Sequence, residues 1–375
     1  MTFEKTESTT TRAIFDKNIQ IENFFTKEYI RFLLKIHKDK IAASKIDGEI
    51  DNLRIFSKTI AENSWMKTLQ EINNKELSCP IHLQIAFVES IEKILRSKIT
   101  VPDRAIYFRT IILEFERIQN HLFFIATLAK GVSNAILHSK AMKMRNKITG
   151  LLGDLVFKNN QHSFITVGGI WNDIDQKSIS FIVNELKKLT KVTDKLRKQL
   201  RNNIFFKGML KDAGFLSRDT AKKLALVGPM ARSSGITDDI RKNDPYAGYG
   251  LVSFSVPVYD SCDLYGELMV RCDEILESLS IIKQLVFTLP EGEIRQDVKN
   301  LNVPSGSAIM RVETPEGELF SFALSKKGNL DDKPRMYDII SPMKVNKQGL
   351  LARLTGENYE NIQVIILSIG SGWGY

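Results

Sequence analysis

The chain has 375 residues and a net charge of +9, with 43% apolar and 26% charged residues. That length allows one large domain or two to three of about 150 residues, and the balanced composition excludes extensive disorder. No apolar run reaches the ~18 residues of a membrane-spanning helix, the Thr-rich start has no secretory core, and three cysteines without a C-x-x-C pair exclude a disulfide scaffold.

Residues 1–50 read as a polar start followed by short mixed elements, and Ile21–Ile41 fits either strands or a helix. Residues 55–300 are expected to be mostly helical. Leu83–Arg96 carries Phe87, Ile91 and Ile94/Leu95 on one stripe, and Asp103–Ala129 carries Phe108, Ile111/Ile112, Phe115, Ile118, Leu122 and Ile125 at helical spacing. Pro102 suits the first turn of the latter. Ile179–Leu200 is a charged amphipathic helix. Ser217 opens a short helix ending near Gly228-Pro229, and Tyr265–Leu289 is a long helix stopped by Pro290. Beyond about residue 300 the pattern turns to β: Ala308–Val312 and Leu319–Ser325 flank the turn Thr314-Pro315-Glu316-Gly317, and Gln363–Ile369 is a further β-branched run.

Basic residues are spread along the chain, with a modest cluster at Lys187–Arg201. No aromatic-studded basic strand or zinc module accompanies them, so nucleic acid is not an expected partner. Glu114, Arg117 and His121 are spaced three and four apart and therefore share one helix face. Gly168, Gly169 and Gly235 suit turns and close backbone approach. They form no dinucleotide cradle, because no G-x-G-x-x-G follows a strand.

Four segments carry a family resemblance in their joint order. They are Arg104–Arg109 running into Glu114–Leu122; Gly168-Gly169-Ile170 with Asp173; Gly228-Pro229 with Ala231–Gly235, Asp239–Lys242 and Pro245-Tyr246-Ala247-x-Tyr249; and Glu313–Glu318. A weaker fifth, Asp263–Gly292, ends in Leu-Pro-Glu-Gly. In this order the chain resembles the large, 49-kDa-type, hydrogenase-like subunit shared by respiratory complex I and membrane-bound energy-converting nickel–iron hydrogenases. The resemblance implies a mainly α fold with small β subdomains (α+β), the hydrogenase large-subunit fold with a central helical bundle. Residues 1–50 are expected to form an N-terminal segment with short β elements, 51–300 the helical core, and 301–375 a C-terminal β-rich subdomain and tail.

Hydrogenases of this kind hold nickel and iron with four cysteine thiolates, which suit that soft chemistry. Here Cys79 stands at one of those positions, while Glu76, Gly372 and Tyr375 stand at the others. One thiolate in four predicts no nickel–iron centre, no metal and no hydrogenase activity. The complex I branch instead uses a quinone cavity with a His in an N-terminal hairpin and a nearby Tyr. The stretch expected near that hairpin is degraded to Leu53-Arg54-Ile55-Phe56-Ser57-Lys58, and the nearest candidates for the His are His82 and His162.

The cavity candidates are accordingly Glu76, Cys79, His82, His162 and Tyr375, with Glu76 and Cys79 expected to meet the Gly370–Tyr375 tail. Glu114, Arg117 and His121 form either a packing network or a proton-carrying element near the redox site. The resemblance implies a peripheral subunit on the cytoplasmic side of the membrane, in an ion-translocating oxidoreductase. Its partners would be a small iron–sulfur subunit, a 30-kDa-type subunit and membrane-arm subunits. The iron–sulfur cluster would belong to the small subunit, the acceptor would be a quinone, and this chain would bind no cofactor of its own. The alternative is a redox-inactive scaffold or coupling subunit.

Overall fold

The computed structural model describes residues 17–22, 29–47, 62–74, 79–95, 98–156, 164–298, 302–330 and 332–368. Strands β1 (Lys17–Glu22), β2 (Tyr29–His37) and β3 (Lys40–Asp47) form an antiparallel meander. The described residues of the stretch Ile21–Ile41, which the sequence left open, are therefore strands and a turn. Lys38 and Asp39 sit at φ 49° and 61°, the left-handed pair that a two-residue hairpin turn requires. Phe32, Leu34 and Ile41 give the meander its buried face.

Helices α1 (Trp65–Asn74), α2 (Pro80–Leu95), α3 (Asp103–Gly131) and α4 (Ala135–Val156) follow. After the small pair β4 (Ile165–Thr166) and β5 (Gly169–Ile170) come α5 (Gln176–Asn202) and the short helices α6 (Ile204–Leu210), α7 (Arg218–Lys223), α8 (Gly228–Arg232) and α9 (Ile240–Asn243). The long α10 spans Leu264–Phe287. Side-chain caps set the starts of two long helices: Asp175 accepts from the Ser178 amide and Asp263 from the Gly266 amide. The helix expected to run from Ser217 to near Gly228-Pro229 ends earlier, at Lys223, and Gly228, at φ +69°, opens α8 instead.

α3 is the axis of the molecule. It packs against α4 on one side and α10 on another, and α10 also lies along α5. A surface helix buries one stripe; α3 buries nearly all of its circumference, including charged residues, and so cannot depend on water to solvate them.

The C-terminal region begins with β6 (Asn302–Val303), β7 (Gly306–Thr314), β8 (Gly317–Ser325), β9 (Gly328–Asn329) and β10 (Met336–Ile340). The main sheet runs β10-β8-β7, all antiparallel, and β8 alternates buried and half-buried residues with the period of two that a one-sided sheet imposes. Its covered face packs on α2. The chain then turns helical in α11 (Pro342–Leu354) and α12 (Ile362–Leu367). The run read from sequence as a strand at Gln363–Ile369 is therefore helical through Leu367. Packing of this apolar turn against α3 and α11 overrides the β preference of its branched residues.

Candidate functional site

The first and second motif segments meet where arginine side chains of α3 reach the β4–β5 turn. Arg109 on α3 forks onto Glu92 of α2, at 2.7 and 2.9 Å, and reaches the carbonyls of Thr166 and Gly169. Glu92 also accepts the Gly168 amide at 2.8 Å. Gly169, at φ +152°, lies so close to residue 294 that an added Cβ would stand 2.1 Å from the Ile294 carbonyl oxygen. Arg104 holds Asp173 at 2.9 Å. The third and fourth segments meet by close backbone approach: a Cβ on Gly228 would fall 2.2 Å from the Glu316 carbonyl oxygen, which pins the β7–β8 turn against α8.

That turn delivers charge to the interior. Glu114, Arg117 and His121 are all fully buried on one face of α3. Arg117 Nε lies 3.3 Å from Glu114, and its other nitrogens donate to the carbonyls of Thr314 (3.1 Å) and Glu313 (2.5 Å). Glu114 also takes Arg241 at 3.3 Å and the Tyr249 hydroxyl. Arg241 pairs with Asp239 at 2.7 Å. Arg232 joins Glu274 (2.7 Å) to Glu313 (2.8 Å). His121 Nε2 contacts Glu274 at 2.7 Å, while Arg271 points at His121 Nδ1 from 3.4 Å. Arg271 can only donate, so Nδ1 accepts and the imidazole proton sits on Nε2, facing Glu274. Arg271 continues to Glu316 (2.6 Å) and Glu267 (3.0 Å), and Glu267 to Arg353 (2.5 Å).

The result is one continuous buried lattice in which six carboxylates (Glu114, Asp239, Glu267, Glu274, Glu313, Glu316) face five guanidinium groups (Arg117, Arg232, Arg241, Arg271, Arg353). Isolated ions at such depth would be prohibitively expensive, and close pairing is what lets them remain. The surplus carboxylate leaves room for one proton. Burial, with Asp239 beside it, pushes Glu313 up to about 7 against the pull of Arg232 and Arg117. Glu114 and Glu274 go the other way: their Arg partners outweigh burial and hold both below the usual carboxylate range. Burial drives His121 down to about 4 despite Glu274, so it is neutral at pH 7.

A second cluster adjoins the lattice one residue along α3. Glu116 faces the first turn of α2 and accepts the backbone amides of Ile81 and His82, both at 3.0 Å. These are amides that the start of any helix leaves without an intrahelical partner. His82 Nδ1 lies 2.6 Å from Glu116, and Cys79 precedes the helix. All three side chains are buried. Burial pushes Glu116 up to about 8, while burial and the charges of Arg117 and Arg241 hold His82 well below its ordinary value. The two therefore share protons as a pair.

Of the residues singled out in the sequence, the structure brings together Glu114, Arg117 and His121, and sets Cys79 against His82. Glu76, His162 and Tyr375 lie outside the described residues, as do the Leu53–Lys58 stretch and the Gly370–Tyr375 tail. Ser368, the last described residue, lines a cavity of about 20 Å³ with Glu267, Arg271 and Glu316. That is room for about one water molecule. Spacing alone missed Glu267, Arg271 and Glu274, although they repeat the same four-and-three pattern on α10. It also missed Glu116, which sits inside a motif but off the charged face.

The architecture is that of the large-subunit fold. It matches, with a TM-score of 0.85, a chain from the membrane-bound sulfane sulfur reductase, an archaeal respiratory membrane complex, over 94% of this chain and 96% of that one at 24% identity. Residues 136–302, which hold Arg232, Asp239, Arg241, Glu267, Arg271 and Glu274, match the family described as respiratory-chain NADH dehydrogenase, 49 Kd subunit. The D-type subunit of NADH-quinone oxidoreductase from Dehalococcoides mccartyi is 32% identical over 289 residues, covering 76% of this chain and 77% of that protein. Its counterpart from Desulfotalea psychrophila is 34% identical, covering 68% of each. The chain belongs to this family, the 49-kDa or D-type subunits of NADH-quinone oxidoreductases.

Proposed function

We propose that this chain is the large subunit of a membrane-associated, complex I-like, ion-translocating oxidoreductase, and that it forms an acceptor cavity beside a small iron–sulfur subunit. Electrons would arrive from that subunit's cluster, and a quinone is the proposed acceptor. The other proposed partners are a 30-kDa-type subunit and the membrane-arm subunits. Among the described residues no helix is long and apolar enough to cross a membrane, and the proposed position is peripheral, on the cytoplasmic side.

The observation that carries this reading is the buried lattice with its surplus carboxylate. In a low-dielectric interior a charge appearing at one end shifts the proton affinity of its neighbours, so a network with one uncommitted proton can couple electron arrival to proton movement. Glu313, whose proton affinity is pushed up to about 7, is the group assigned to hold that proton. One observation favours the scaffold reading instead: the cavity beside Arg271 admits about one water, too little for a quinone headgroup. The assembly itself is tested by affinity purification of the tagged chain from detergent-solubilised native membranes. The proposal expects stoichiometric recovery with a small iron–sulfur subunit and membrane-arm subunits. Recovery of the chain alone from the soluble fraction would overturn it.

A further inference from the structure

The geometry points to a binding site for one borderline divalent cation, such as Zn²⁺, formed by Cys79, His82 and Glu116. This departs from the expectation that the chain holds no metal. It is also distinct from a nickel–iron centre, because His82 and Glu116 occupy none of the four cysteine positions.

One ligand atom from each of the three residues lies within 4.8 Å of the other two. The set combines a thiolate, an imidazole and a carboxylate, the donors that tetrahedral Zn²⁺ accepts, and three protein ligands leave a fourth position for water or another small ligand. Bond lengths of about 2.0–2.3 Å place neighbouring donors of a tetrahedral ion about 3.3–3.8 Å apart. The 2.6 Å contact between His82 and Glu116 is shorter than that, as befits a proton held between them. The cation would take that proton's place and the contact would open by about 1 Å.

The ligands are also held on rigid elements. Cys79 and His82 flank the first turn of α2, and Glu116, in mid-α3, is oriented by the Ile81 and His82 amides, the kind of outer hydrogen bonding that fixes metal ligands. Cys262 and Cys272 appear in no comparable cluster among the described residues.

The test is anaerobic titration of the metal-depleted full-length chain with Co²⁺, followed by the thiolate-to-cobalt charge-transfer band. The expected result is one Co²⁺ per chain with that band, displaced by one equivalent of Zn²⁺. Cys79→Ser should abolish the band, while Cys262→Ser and Cys272→Ala keep it. His82→Gln and Glu116→Gln should each weaken binding at least tenfold, a loss of about 1.4 kcal/mol. Absence of the band from the wild-type chain would overturn the proposal. So would its persistence in Cys79→Ser, or its loss in Cys262→Ser or Cys272→Ala. Should Cys79→Ser fail to fold, the wild-type titration and the other two cysteine variants still identify the thiolate by elimination.

Discussion

Arg117→Ala is the sharpest perturbation of the buried lattice. The guanidinium bonds Glu114 and two β7–β8 backbone carbonyls, those of Glu313 and Thr314, so it ties α3 to the turn that carries Glu313 and Glu316. Removing one partner of a buried pair costs about 3–5 kcal/mol. Here Glu114 keeps Arg241 and the Tyr249 hydroxyl, which softens the charge loss. Two carbonyls lose a charged donor, at about 1–3 kcal/mol each. The two effects together place the cost at about 3–5 kcal/mol, a large share of the 5–15 kcal/mol typical of a folded domain. Urea unfolding of the full-length chain measures it, with Arg117→Lys as a control that keeps the charge but not the fork. A loss under about 1 kcal/mol for Arg117→Ala would mean that the lattice contributes little to the fold.

Gly169→Ala drives a Cβ into the Ile294 carbonyl and should cost about 2–5 kcal/mol in the same assay; a neutral result would mean that the β5 contact gives way easily. His121 is neutral when folded, with a proton affinity pushed down to about 4 from an ordinary 6.5. Its contribution to stability is thus complete above pH 6.5 and is lost as pH falls towards 4. His121→Gln should show a shallower fall in stability over that window, measured by thermal unfolding at a series of pH values; an unchanged slope would assign the acid sensitivity to other groups. Metal analysis of the native assembly should find no stoichiometric nickel, since one thiolate stands where four are needed.

The long helices were legible because α3, α5 and α10 repeat apolar residues every three or four positions, and Pro102 marks the start of α3. Periodicity failed where the segment was short. Ile362–Leu367 is one and a half turns of β-branched residues, and only its docking on α3 makes it a helix. The same limit applies to the site. Spacing placed Glu114, Arg117 and His121 on one face, but nothing local to α3 says that Glu274 and Arg271, some 150 residues away, complete it. Glu116 was hidden for a related reason. Its partners are backbone amides at the start of another helix, and backbone donors leave no trace in residue identities.

In the proposed function an acceptor bound in this subunit's cavity takes electrons from the small subunit's iron–sulfur cluster. The most direct measurement is the electron paramagnetic resonance signal of the iron–sulfur clusters in the native assembly, reduced and then mixed with a water-soluble quinone. The cluster nearest this subunit is expected to be reoxidised, and Glu313→Gln to slow its reoxidation in an assembly of unchanged composition. A fully assembled complex whose reduced clusters are left untouched by quinone would contradict it and leave the chain a scaffold.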